Sequence, residues 1–125
     1  MIIHQGKQQC DFELDENGFT YHGSFGENMQ TVMLERMDEG EVHCSFGEYV
    51  IDLSGVEQVG TRCELELHCS FGELRVLVPR RFCVKPVSST TFAGFSVSGQ
   101  PDPTPVGIIY LEASCSFGEI SVEYI

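Results

Sequence analysis

The sequence predicts an all-β fold, a small right-handed single-stranded β-helix (β-solenoid) of about five coils, and three observations predict it. The string Ser-Phe-Gly-Glu occurs four times, at residues 24–27, 45–48, 70–73 and 116–119. With a degenerate copy, Thr91-Phe92-Ala93-Gly94, the Phe positions are 25, 46, 71, 92 and 117, spaced by 21, 25, 21 and 25 residues. Between the copies apolar and polar residues alternate with the period of a strand, and no helical period intervenes.

Spacing this regular, alternating between 21 and 25 residues, means that each unit closes on itself and returns the next Phe to an equivalent place, as solenoid repeats do. Equivalent side chains of neighbouring coils would then stack about 4.8 Å apart. At the N-terminus, residues 1–20, with Phe12, Leu14 and Phe19, suit a cap or strand pair, and residues 21–125 form the repeat domain as one globular unit. In the second unit Val42, Cys44 and Phe46 share one face, followed by Tyr49, Ile51 and Leu53. The third has Cys63, Leu65, Leu67, Cys69 and Phe71, then Leu74, Val76 and Val78; the weaker fourth has Val84, Thr90 and Phe92, then Phe95 and Val97. The last has Leu111, Ala113, Cys115 and Phe117, then Ile120, Val122 and Tyr124.

In every unit the parity shifts by one across Gly-Glu, as at a corner or bulge that bends a strand while both arms keep facing the core. The motif is therefore first a folding device, with Phe25, Phe46, Phe71, Phe92 and Phe117 as an inward core ladder. Gly26, Gly47, Gly72, Gly94 and Gly118 supply the bend. Residues 31–39 fit one or two helical turns or loop packing around Met33, Leu34 and Met37. Ser54-Gly55, Pro79-Arg80-Arg81, Ser88-Ser89 and Ser98 to Pro103 read as connectors, with the Pro-rich stretch Pro101 to Pro105 the mobile one. The chain ends in mid-strand, and an uncapped edge there favours self-association.

Composition narrows the function. Nineteen acidic against seven basic residues give a net charge of −12, which opposes nucleic acid and anionic lipid and favours a basic protein partner or a cation. No run of eighteen apolar residues and no signal peptide is visible, so the expectation is a cytoplasmic domain without membrane insertion of its own, peripheral at most through a partner. The six cysteines follow the repeat and not a zinc spacing, and read as free thiols. Cys44, Cys69 and Cys115 have inward parity and look like core filler; Cys83 has outward parity and could react; nothing decides Cys10.

Two outward rows are candidate sites. His22, His43 and His68 each precede a repeat Phe by three positions, so stacked coils would align them. Neighbouring imidazoles at strand spacing could share a metal, the alternative being solvated surface histidines. Glu27, Glu48, Glu73 and Glu119 follow the Phe by two and would stack as like charges, offset by turn amides, Arg75 or a bound cation. They are the candidate interaction residues. Ser, His and Glu recurring as rows do not make a catalytic triad, which needs one buried acid and one nucleophile at a strained turn. No nucleotide-binding fingerprint occurs, and the expectation is no enzyme and no cofactor.

The stretch Ser45-Phe46-Gly47-Glu48-Tyr49-Val50-Ile51-Asp52-Leu53-Ser54, followed by Cys69-Ser70-Phe71-Gly72-Glu73-Leu74-Arg75-Val76-Leu77-Val78-Pro79, resembles the C-terminal domain of LiaF-like proteins, the cell wall-active antibiotics response proteins. That family repeats F-G-G or F-G-D turns, with I-D-L-S after one and V-P after the next; the resemblance spans residues 40–125. It implies a non-enzymatic regulatory domain that follows several membrane helices and acts with a membrane histidine kinase in envelope-stress signalling. This chain shows no such helices and carries Glu where the family has Gly or Asp. The expected partner is a sensor kinase or another membrane signalling protein. A self-associating β-helical scaffold, forming a homo-oligomer, is the alternative.

Overall fold

The computed structural model describes residues 10–87 and 94–125 and is all-β, with no helix among them. Nine strands run in order as β1 (Cys10–Leu14), β2 (Gly18–Gly23), β3 (Glu27–Thr31), β4 (Leu34–Cys44), β5 (Glu48–Asp52), β6 (Val56–Val78), β7 (Phe82–Pro86), β8 (Phe95–Ser98) and β9 (Gly107–Tyr124). Among the described residues only β1 and β2 pair antiparallel, as a hairpin from Cys10↔Gly23 to Leu14↔Phe19. Every other pair is parallel, so the sheet is mixed. Residues 1–9 of the expected cap, the Ser88-Ser89 connector, Thr90 of the fourth unit, and Thr91, Phe92 and Ala93 of the degenerate copy lie outside the described residues. Residues 31–39 carry no helix: β3 ends at Thr31, β4 begins at Leu34, and Leu34 and Met37 are buried from an extended backbone.

Before the repeat motif β2, β4, β6 and β9 lie side by side, in the register Tyr21↔Val42↔Leu67↔Ala113. After it β3, β5 and the second halves of β6 and β9 do the same, in the register Asn28↔Tyr49↔Leu74↔Ile120. The core lies between the arms and follows the alternation: Cys63, Leu65, Leu67 and Cys69 are buried before the motif, and Leu74, Val76 and Val78 after it.

The repeat phenylalanines leave that core. Phe25 is 61% exposed, Phe46 and Phe71 each 42%, and Phe117 66%, against the inward placement that parity suggested. The last inward residue before the bend stands two positions before the Phe, Gly23 in the first unit and Cys44, Cys69 and Cys115 in the others, so all of Ser-Phe-Gly-Glu turns outward. Its Gly has a positive φ, +103° at Gly26, +121° at Gly47, +110° at Gly72 and +138° at Gly118. The alternation has already ended between the buried Cys69 and the exposed Phe71, where the register from Cys69↔Cys115 to Phe71↔Phe117 passes over Ser70, and the positive φ of the Gly serves the bend that follows. In the second unit the inside of the corner is filled by buried Tyr49, whose hydroxyl donates to the carbonyl of Phe46 at 2.8 Å.

The units do not stack in chain order. β9 pairs with β6 on one edge, from Cys63↔Ile109 to Val78↔Tyr124, and with β7 and β8 on the other. The chain therefore steps past one strand position to lay down β7 and β8, then returns to fill the gap with its last strand. Long strands gain most from two neighbours, because both rows of backbone groups are then bonded. β8, which follows the degenerate copy, is left at the periphery, where it buries little and Val97 is 44% exposed. The C-terminal strand is accordingly interior, which overturns the uncapped C-terminal edge. The Pro101–Pro105 connector is held by bonds from the Asp102 amide to the Arg80 carbonyl, 2.8 Å, and from the Val106 amide to the Arg81 carbonyl, 2.7 Å.

Candidate functional site

The bend carries its hydrogen-bond ladder through without a break. The amides of Phe46 and Glu48 donate to Ser24 and Gly26, and those of Phe71 and Glu73 to Ser45 and Gly47, at 2.8 to 3.0 Å. Equivalent residues of neighbouring units are thereby held at strand spacing. A Cβ on Gly47 would collide with the Gly26 carbonyl, on Gly72 with that of Gly47, on Gly118 with that of Gly72, and on Gly94 with that of Gly118. The glycine column thus reads 26, 47, 72, 118, 94, the same order as the strands.

Outside the glycines stands a column of aromatic rings. Phe25 and Phe46 have centroids 5.1 Å apart, Phe46 and Phe71 4.8 Å, and Phe71 and Phe117 5.0 Å, with planes within 10° of parallel. Faces meet faces, so the two inner rings show solvent mainly their edges. Glu27, Glu48, Glu73 and Glu119 form the adjoining row, in register and exposed. Arg75, a candidate counter-charge for this row, instead pairs with Glu123 at 2.9 Å. Like charges about 5 Å apart in water repel by roughly 1 kcal/mol per pair, a standing incentive to bind cationic groups.

On the other flank His22, His43 and His68 stack as expected, 4.8 Å between centroids and 7° and 11° between planes. Ser114 continues the column, its Oγ sharing a 2.8 Å hydrogen bond with His68 Nδ1; Ser89 lies outside the described residues. Parallel rings hold their in-plane lone pairs side by side, whereas a metal needs them to converge. Among the described residues no group of three or more His, Cys, Asp and Glu side chains could hold a metal ion.

A second acidic row escaped the sequence reading. Glu41, Glu66 and Glu112 stand in register beyond the histidines, and each precedes its repeat Phe by five. His43 Nε2 lies 3.1 Å from Glu41 and His68 Nε2 3.7 Å from Glu66. The signal was present at that fixed offset, and strand alternation puts it on the same outer face as the histidines. Arg62, close to this row, is paired with Glu64 at 3.2 Å and lies over the Tyr110 ring at 5.2 Å.

The cysteines form an inner column, Cys44↔Cys69↔Cys115, with the first two buried and Cys115 half-buried. Burial, and then neighbouring Cys115, pushes the Cys69 thiol up to about 12. Burial, with the carboxylates of Asp38 and Glu64, pushes Cys63 up to about 12 as well. Both stay thiols at neutral pH and are poor nucleophiles. Cys83 is half-buried, with Sγ 4.0 Å from the Val84 carbonyl oxygen.

No helix among the described residues is long and apolar enough to cross a membrane. No family model matches this chain, and no curated protein or solved structure matches it either.

Proposed function

We infer that this chain is a non-enzymatic regulatory module, a β-solenoid whose rows of like side chains bind a protein partner. The parallel registers and the unbroken glycine column support the solenoid description. The observation that carries the function is the exposed phenylalanine column. The core is complete without it, since Cys, Leu, Val and Tyr fill both arms of the bend. Four aromatic rings lined up in solvent form an apolar strip of the kind that marks interaction sites. Repetition also favours recognition over catalysis, because a reaction centre needs one convergent set of groups and a row offers equal ones. The LiaF-like resemblance points the same way, with a sensor kinase or other membrane signalling protein as the partner it implies.

Self-association as a scaffold is the second reading. The edge of β3 that faces away from β5 pairs with no strand among the described residues, and its side-chain rows end on exposed Phe25 and Met29.

A photo-crosslinking residue placed at position 71 of the full chain, in the source cell, tests both. The module reading expects an adduct with a single different protein, absent when the probe stands at exposed position 57 and lost on Phe46→Ser. Adducts only between copies of this chain, with mass rising with concentration in sedimentation, would establish the scaffold instead. Equal adducts from positions 71 and 57 would overturn the role of the phenylalanine column.

A further inference from the structure

We propose that the phenylalanine column is the docking ridge for a cationic amphipathic segment of the partner, an apolar stripe bordered by Lys or Arg. This rests on the module reading and names the chemistry of the partner.

The dimensions set the size of the segment. Three gaps of 4.8 to 5.1 Å make a strip about 15 Å long. At 1.5 Å per residue that matches roughly ten residues of helix. A short amphipathic segment covers such a strip, with apolar anchors at i, i+3, i+4 and i+7.

The arrangement of the rings assigns the contacts. Phe46 and Phe71 have both faces covered by neighbouring rings. Cation–π contact, which needs an open face, is closed to them. Their outward edges accept aliphatic or aromatic groups, and cations must seat elsewhere. Carboxylates receive them: Glu27, Glu48, Glu73 and Glu119 directly beside the ridge, and, farther off beyond the histidines, Glu41 and Glu66, which contact His43 and His68, and Glu112. The nearby cations Arg62 and Arg75 are held by Glu64 and Glu123, so the flanks remain acidic.

The same charges choose among occupants. Anionic lipid and nucleic acid would meet carboxylates on either side of the strip. A second copy docking through this ridge would set its acidic rows against their equivalents, with −12 already on each chain. A segment with Lys or Arg on both sides of an apolar stripe satisfies ridge and flanks together.

The test uses a fluorescein-labelled fourteen-residue Leu/Lys peptide of amphipathic pattern, titrated with the full chain and followed by anisotropy. Phe46→Ser with Phe71→Ser is expected to weaken binding roughly tenfold or more, as loss of central aromatic anchors does. Phe46→Leu with Phe71→Leu should retain most of the affinity, which separates loss of the ridge from loss of the fold. Glu48→Gln with Glu73→Gln should weaken binding and flatten its salt dependence. A peptide of the same composition with its stripe scrambled should bind the unaltered chain only as well as the patterned peptide binds the Phe→Ser variant. Equal affinity of the scrambled peptide, or no effect of Phe→Ser, would reduce the attraction to net charge and overturn the proposal. Failure of the Leu/Lys peptide while the position-71 adduct forms would overturn the cationic class alone; failure of both would overturn the module reading as well.

Discussion

The ring of Phe117 lies on the ring of Phe71, centroids 5.0 Å apart and planes 10° from parallel. β9, the strand of the last repeat copy, thus rests on β6, and β7 and β8 of the fourth unit lie beyond it. Chain order and spatial order part company here, and every row on the surface follows the spatial one.

That order can be trapped covalently. His68 and Ser114 are register partners on the outer face, and their side chains already meet at 2.8 Å. With Cys at both positions, mild oxidation should give a 68–114 disulfide, identified by peptide mapping, with little loss of stability because the site is exposed. Stacking in chain order would put these positions two strands apart, about 9.6 Å, beyond the reach of a disulfide. Absence of the bond under conditions that oxidise an exposed control pair would refute the inserted last strand.

Phe71→Ala should cost only about 1–2 kcal/mol in urea unfolding, the worth of two aromatic contacts at an exposed site. Leu67→Ala, four residues earlier and fully buried, should cost about 3–4 kcal/mol. Equal losses would return the ring to the core.

Alternation made most of this fold readable. Leu65, Leu67, Leu74 and Val76 were placed inward by parity alone, and the stacking of His22, His43 and His68 followed from their fixed offset to the repeat Phe. Parity failed at Phe71 because the alternation ends at Ser70, before the bend at Gly72, and a pattern of apolar letters does not show where a bend begins. Order failed at the last unit because regular spacing says that copies are equivalent without saying which ones touch. Glu41, Glu66 and Glu112 repeat as strictly as the histidines, yet Glu39 and Glu64 alternate with them on the same strands, so the row stands out only once the register sets the three side by side. Arg75 went to Glu123 on β9 and not to Glu73 of its own strand, a choice fixed only once β9 had become the neighbour of β6.

The glycines of the bend should differ in tolerance according to place. At Gly26 an added Cβ meets nothing within 4 Å, so Gly26→Ala carries only the strain of its φ of +103°, about 1–2 kcal/mol. Gly72→Ala has comparable strain, and its Cβ also strikes the Gly47 carbonyl, which adds overpacking of about 1–3 kcal/mol. Urea midpoints should fall in the order wild type, Gly26→Ala, Gly72→Ala. Equal midpoints for the two variants would mean that the columns are not in contact at the bend.

The buried thiols set an alkaline limit. Cys63 rises from its ordinary 9.0 to about 12 in the folded chain, chiefly through burial. Above about pH 9 the unfolded chain releases this proton while the folded chain keeps it, so stability falls as pH rises and levels off only near pH 12. Below pH 9 both states hold the proton and the group contributes no slope. Cys69, raised in the same way, and Tyr124, raised mainly by burial, act in the same direction. Urea unfolding between pH 8 and pH 10.5 should therefore show decreasing stability, and Cys63→Ala, whatever its cost at pH 8, should make the decline shallower. A decline of unchanged steepness in that variant would show that Cys63 is not held as a buried thiol.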